Sequence, residues 1–323
     1  MPNKGFFTQG VAVLLKESVT LADLERLLTG FKISKRKEEF ENWELGGPAL
    51  VLDYRPEVNG HVSVDIVDRP WPDNMGDPKS EPTLFAAWSM GHFGPFAWPE
   101  SQKRAIQHCY CWEEGRQIAP QHRAFLRIRT SYVFGAPESA PVFPEDCKPA
   151  DELSFILRVV MALLRHPAAL CYFNPNGEVL AERKSMERVL AHYGKAKLPP
   201  VDLLANRRIF KFENGWTMTD TVGMQQLDLP DIEACFHPDR FDLNDVGQFL
   251  ANASLYLTEA GPVIKDGETI DGPGEIRFRA KSFKEGLWTP PRPTLRFRPE
   301  DGTTPPMEFG FENPAPKKKW RFW

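Results

Sequence analysis

Apolar positions along the chain follow two periods, and the switches between them mark out strands and helices. Residues 11–15 are a short unbroken apolar run, read as a first strand and not a signal peptide because Lys16 and Glu17 interrupt it. Thr20-Leu-Ala-Asp23 has the form of a capping box, and Leu21, Leu24, Leu27 and Leu28 keep helical spacing as far as Gly30. Runs 49–54 and 61–67 flank Asn59-Gly60. In the second run Val62, Val64 and Ile66 alternate with His61, Ser63 and Asp65, as a strand with one buried face requires. An irregular stretch, 68–98, leads to Pro99, which suits the first turn of a helix carrying Ala105, Ile106, Cys109 and Trp112. A strand over 123–133 closes the series. The order strand, helix, strand, strand, helix, strand predicts a ferredoxin-like α+β lobe, with helices on one face of a mainly antiparallel sheet.

Residues 136–150, rich in Pro, Ala and acids, read as a linker, so a boundary is expected near residue 145, with lobes over 1–145 and 146–289. The second lobe opens with an apolar helix, 151–165, and a strand, 169–173, ended by the Asn174-Pro175-Asn176-Gly177 turn. A helix at 185–193 and strands at 209–212, 216–224 and 232–236 follow. Asp242 caps a helix with Leu243, Val246, Phe249, Leu250 and Leu257 inward, and a strand at 275–280 comes after Asp266-Gly267. This lobe is α+β as well, so two ferredoxin-like lobes with mainly antiparallel sheets covered by helices are expected. Residues 290–323 read as a Pro-rich tail, with the terminal Trp320 and Trp323 expected to dock back onto the domain.

The 323 residues, 41% of them hydrophobic, are enough for about two domains. A net charge of −4, from 40 basic and 44 acidic residues, gives no global field toward nucleic acid or an anionic membrane. No apolar stretch reaches the roughly 20 residues a membrane helix needs. Five scattered cysteines suit a reducing, cytoplasmic setting better than a disulfide framework. His108, Cys109, Cys111 and His122 offer nitrogen and sulfur, but Cys109 and Cys111 point apart on a helix and no second cysteine pair matches them. No metal or cofactor is expected. Phosphate-cradling glycine loops and the Gly-x-Ser-x-Gly elbow are missing from the sequence, and Glu113-Glu114 or Asp228 with Asp231 read as solvated loop charge, so no catalytic residue is assigned.

The candidate binding residues are Asp68, Arg69, Trp71, Asp73, Asp77, Trp88 and His92. They concentrate aromatic, acidic and imidazole groups in one long loop between patterned elements, which is where binding groups gather on a rigid scaffold. That loop is expected to matter more to recognition than to folding.

Trp216-Thr-Met-Thr-Asp-Thr-Val-Gly223-Met-Gln-Gln-Leu, Leu229-Pro-Asp-Ile-Glu233, the helix ending Tyr256-Leu257, and Val263-Ile-Lys-Asp-Gly267-Glu-Thr-Ile270 resemble the family called domain of unknown function 4261. The resemblance spans roughly 150–285 and extends to the strand His122-Arg-Ala-Phe-Leu-Arg-Ile-Arg. It implies a bacterial protein with no assigned activity, in some cases encoded beside contact-dependent toxin systems. Two readings stand. One is an intracellular protein-binding module, an immunity protein neutralising a secreted, type VI-like toxin. The other is an enzyme or small-molecule-binding protein with its site in the 68–95 loop.

Overall fold

The computed structural model describes residues 5–137 and 141–311. The first of its two units runs to Asn206 and takes in Val222–Leu229, while the second holds Arg207–Thr221 and the chain from Pro230. The division expected near residue 145 therefore lies at Asn206, because the elements after the linker complete the first sheet. The first unit contains β1 (Gln9–Leu15), α1 (Leu21–Leu27), β2 (Ile33–Lys37), β3 (Ala49–Arg55), β4 (Gly60–Val67), α2 (Pro82–Ser89), α3 (Ser101–Gln107) and α4 (Gly115–Ile118). It continues with β5 (Ala124–Ser131), α5 (Pro149–Leu163), β6 (Ala169–Asn174), β7 (Val179–Ala181), α6 (Arg183–Ala196) and α7 (Val201–Leu204).

The mixed α+β class holds, with sheets that are mainly antiparallel. The strand order of the first sheet is β2-β3-β4-β5-β1-β6-β7, and each neighbouring pair is antiparallel. A ferredoxin-like lobe would place β1 between β4 and β5. Here those two pair directly, with Asp65 opposite Arg127 and Ser63 opposite Arg129. A slip of one residue would turn both arginines onto the apolar face, so the charges help to fix the register.

That apolar face carries Leu50, Leu52, Val62, Val64, Leu126 and Ile128, packed with Leu24 of α1 and Ile156, Val160 and Leu163 of α5. Thr20 and Asp23 form the reciprocal capping box at α1. The opposite face has two halves. Ala12, Leu14, Phe125, Cys171 and Phe173 form a dry half under Trp71, Trp88 and Phe93, and β2 to β5 form the polar half described below.

Residues 222–229 return the chain to the first unit. Gln226 is fully buried there: its Nε2 donates to Leu204 O at 2.8 Å and Gly223 O at 2.9 Å, and its Oε1 accepts from Asn174 Nδ2 at 2.9 Å. Gly223, at φ 123°, leaves no room for a side chain, since a Cβ would stand 2.4 Å from Leu204 O.

The second sheet has the order β11-β12-β13-β10-β9-β8, formed by β8 (Asn206–Lys211), β9 (Thr217–Val222), β10 (Asp231–Phe236), β11 (Thr269–Asp271), β12 (Arg277–Phe283) and β13 (Thr294–Pro299). Helix α8 (Leu243–Ala260), capped by Asp242 as expected, sets Phe249 against Phe278 and Phe297 on one face. The tail expected from residue 290 is corrected by β13, which lies between β12 and β10 and pairs in parallel with β10. Prolines at 290, 291 and 293 disguised the strand that follows them. The expected docking of Trp320 and Trp323 falls outside the described residues. A chain ending at residue 289 should lose amide-exchange protection in β10 and β12; unchanged protection there would restore the tail reading.

Candidate functional site

Two rungs of the first sheet build its polar half. Register places Lys35, Val51, Ser63 and Arg129 in one row and Lys37, Ala49, Asp65 and Arg127 in the next. The floor is low where Ala49 and Val51 stand, and charged where β4 and β5 meet. Asp65 is 1% exposed and takes Arg127 Nη2 at 2.7 Å and Arg129 Nη2 at 2.8 Å. Burial acts to raise its carboxyl, but the guanidiniums of Arg127 and Arg129 outweigh that and hold it below the usual carboxylate range.

The same guanidiniums fasten the strand-entry loop. Arg127 donates to Glu44 O at 2.6 Å and Trp43 O at 3.0 Å, Arg129 donates to Leu45 O at 3.2 Å, and Gly47 N donates to Asp65 at 3.1 Å. Gly47 has to be glycine, because a Cβ would meet Ile66 O at 1.9 Å. Phe7 covers the Arg129 guanidinium, 4.4 Å from ring centroid to carbon.

His92 enters from the turn after α2. Its N–H bonds Ala87 O at 2.9 Å, and Gly91 and Gly94 with positive φ bend the chain. Asn176 holds the turn by donating to Gly10 O at 2.6 Å and accepting from Phe96 N at 2.9 Å. His92 Nδ1 lies 2.9 Å from both Arg129 Nη1 and Leu45 O. Burial first, then the charges of Arg129 and Arg127, push the imidazole down to about 3, so it is neutral at pH 7. With one proton on the neutral ring, Nδ1 either accepts from the Arg129 guanidinium or donates to Leu45 O, according to the tautomer. Burial and Arg127 likewise pull the Arg129 guanidinium down to about 9, still charged at neutral pH.

Over these groups opens a pocket of about 540 Å³, walled by Phe6, Phe7, Leu45 and Phe134, floored by Ala49, Val51 and Ser63, with Lys35 and Lys37 at one side. Such a volume falls within the range of small-molecule sites. Three of its buried polar atoms have no hydrogen-bond partner among the described residues: Ser63 Oγ, Arg129 Nε and His61 Nδ1, the last lying 3.5 Å from the Asp53 carboxylate. Ser63 is 5% exposed and Arg129 4%. Buried polar atoms are nearly always paired, so Ser63 Oγ and Arg129 Nε, which lack even the longer ionic contact that His61 makes, call for an explanation.

Of the seven residues singled out in the loop, His92 alone lines this pocket. Trp71 and Trp88 are buried, with Trp71 edge-on to Trp88, Phe93, Phe125 and Phe173. His122 supports Trp71 by accepting its backbone N–H on Nε2 at 2.8 Å. Asp73 takes Gln102 N and Lys103 N, both at 2.8 Å, and so satisfies the start of α3; burial raises its carboxyl. Asp77 closes a local turn on Lys79 N and Ser80 N. Asp68 and Arg69 are exposed, Arg69 lying over Trp43 at 5.4 Å. The stretch read as irregular contains α2, whose Leu84, Ala87 and Trp88 keep helical spacing. Helix α3 stops at Gln107, so Cys109 lies beyond it. Among the described residues no group of three or more His, Cys, Asp or Glu could hold a metal ion, and no helix is long and apolar enough to cross a membrane.

The residues missed were Ser63, Asp65, Arg127 and Arg129. Their signal was present: opposite charges at alternating positions of two strands whose intervening residues are apolar.

Asp73→Ala should lower the unfolding free energy by about 1–2 kcal/mol in urea melts, as loss of a helix cap does; an unchanged midpoint would release the loop from its scaffolding role. His92 binds a proton near 6.5 when unfolded but only near 3 when folded, so stability should fall as pH drops from 6.5 toward 3. His92→Gln, which keeps an acceptor for Arg129, should flatten this decline between pH 6.5 and 4. Identical pH slopes for the two proteins would show that His92 is not the group titrating.

The second unit has its own buried charges, on the sheet face turned away from α8. Asp220 takes Arg208 at 2.6 Å and Arg292 at 2.5 Å, Asp231 lies 3.4 Å from Arg292 and 2.8 Å from Thr221 Oγ1, and Glu233 takes Arg296 at 2.6 Å. Three carboxylates here face three guanidiniums, and Leu287 N closes on Glu233 at 2.9 Å. The family model described as Domain of unknown function (DUF4261) matches residues 220–298, from the Asp220 end of β9 into β13. All of these charged residues except Arg208 lie inside the match. No curated protein and no solved structure matches the chain. Residues 220–298, then, are similar to the DUF4261 family, whose function is unknown.

Proposed function

We propose that the chain is a binding protein that holds a small molecule in the polar pocket of its first unit. The observation that carries this reading is the pair of buried, unpartnered donors, Ser63 Oγ and Arg129 Nε, in the lining of a cavity of about 540 Å³. A group kept dry and unpaired costs about 1–3 kcal/mol, and a ligand that pairs it recovers that free energy on binding. The aromatic walls suit the apolar body of such a ligand. Cys109, Cys111, Cys171 and Cys235, which form no disulfide, are in keeping with a cytoplasmic setting.

A protein partner, as in neutralisation of a toxin, has a separate observation in its favour. Phe6, Phe40 and Leu45 are 47%, 48% and 36% exposed, and Phe6 and Leu45 form part of the pocket wall. Exposed apolar side chains around a cavity also suit a protein surface.

Val51→Trp should fill the floor of the pocket. In a fragment screen read by NMR on the full chain, hits are expected to cluster at Ser63, Arg129 and Phe134, and to vanish in the variant while its melting temperature stays within a few degrees. Hits that avoid the pocket, or survive the tryptophan, would remove the small-molecule reading. A co-purifying protein that binds the Val51→Trp variant as tightly as wild type would move the interaction surface elsewhere.

A further inference from the structure

The pocket differs from the charge network of the second unit in one respect: its buried charges do not balance. Asp65 is shared by Arg127 and Arg129, so two guanidiniums face one carboxylate. The other charged groups nearby do not correct this. Asp53, whose partner on the neighbouring strand is His61, is taken by Lys32 at 2.7 Å and lies 3.5 Å from His61. His92 is neutral and adds no counter-charge. Lys35 and Lys37 are exposed and add positive charge at the pocket's side. An uncompensated cation in a dry site is costly, and a bound anion is the ordinary remedy.

The free donors specify the form of that anion. Arg129 Nη1 lies against Leu45 O and His92 and Nη2 donates to Asp65, while Nε has no partner among the described residues. Ser63 stands opposite Arg129 in the β4–β5 ladder and brings its free hydroxyl to the same rung. Two adjacent donors and one excess charge match a single carboxylate, which has two acceptor oxygens and one negative charge. A phosphate dianion would overshoot the balance and bring its second charge toward Asp65. The aromatic lining, Phe6, Phe7 and Phe134, matches a flat apolar body joined to the acid.

On the reading that this pocket is a ligand site, we infer that it takes a small carboxylic acid with a flat apolar body, its carboxylate resting on Arg129 Nε and Ser63 Oγ. The ligand replaces the missing counter-charge, and the aromatic walls exclude water from the pair. Lys35 and Lys37 draw the acid in, and the buried contact holds it.

Naphthalene-2-carboxylate, 2-naphthyl phosphate and 2-naphthylmethanol, titrated into the full-length chain by calorimetry and by the arginine Nε–H resonances, separate the possibilities. The carboxylate is expected to shift the Arg129 Nε–H signal and to bind at least tenfold more tightly than the alcohol. Ser63→Ala, a small change that leaves the ion cluster intact, should weaken it about tenfold or more, as loss of a hydrogen bond to a charged group does. Equal binding of the alcohol at the same resonance would overturn the carboxylate and leave the pocket reading intact. Tighter binding of the phosphate would overturn the carboxylate in favour of a dianion. If none of the three binds while neutral fragments still collect in the pocket, the anion inference alone fails; if the pocket takes no fragment at all, both fail.

Discussion

Asp65 is the residue on which the polar half of the first sheet depends. It is fully buried between two guanidiniums, and removing it would leave both without their carboxylate in a site that water does not reach. Breaking such a cluster typically costs about 3–5 kcal/mol, because the orphaned charge stays buried. Its influence extends past the ion pairs. Arg127 also donates to the carbonyls of Trp43 and Glu44 and Arg129 to that of Leu45, and Asp65 itself accepts from Gly47. One wall of the pocket is therefore loop backbone held by charges on the floor. The pocket is as rigid as the cluster beneath it, which is the condition for a site preorganised for its ligand.

Each sheet has a helix-covered apolar face opposite the face that carries its buried charges, and the comparison separates scaffold from site. In the second unit Asp220, Asp231 and Glu233 meet Arg208, Arg292 and Arg296, and backbone groups of the covering loop add further bonds, such as Leu287 N to Glu233 and Arg292 to Trp288 O. A neutral network of this kind contributes a unique arrangement of strands, and its charges balance without a ligand. The match to the family model falls on this network, which accounts for a resemblance carried by strands and turns and silent about chemistry. The first unit has the same materials with one carboxylate fewer than its cations require.

Much of the secondary structure was legible in the sequence, because amphipathic periodicity is a local signal. The capping box at Thr20, the alternation of Val62, Val64 and Ile66, and the cap at Asp242 are found as expected. What escaped was set by distant partners. β2 is an edge strand of Ile33-Ser-Lys-Arg-Lys37, exposed along its length, and carries no apolar pattern because lysines protect such edges. β13 sits behind a run of prolines and gains its strand character from β10 and β12. The β4–β5 pairing that excludes the ferredoxin-like order is a long-range choice, made where Asp65 and Ser63 meet Arg127 and Arg129. The polar alternates of those strands were visible, yet only register shows that they share a rung.

The loop after β4 drew attention for its tryptophans, and their burial explains why its density of aromatic residues pointed near the site without being the site. Trp71 fills the dry half of the sheet face against Phe125 and Phe173, and Trp88 stacks beside it on Phe93. Phe93 also lies 5.3 Å from the Arg127 guanidinium, so the aromatic cluster ends where the charged cluster begins. His92, one residue earlier, is thereby set at the border between the two halves, its ring edge-on to Phe7 and its Nδ1 on Arg129. A sheet face that is apolar throughout would close over itself, and one that is charged throughout would fill with water. The pocket exists because the dry half fixes the turn that carries His92, while the charged half holds the facing loop at its carbonyls and leaves the space between them open.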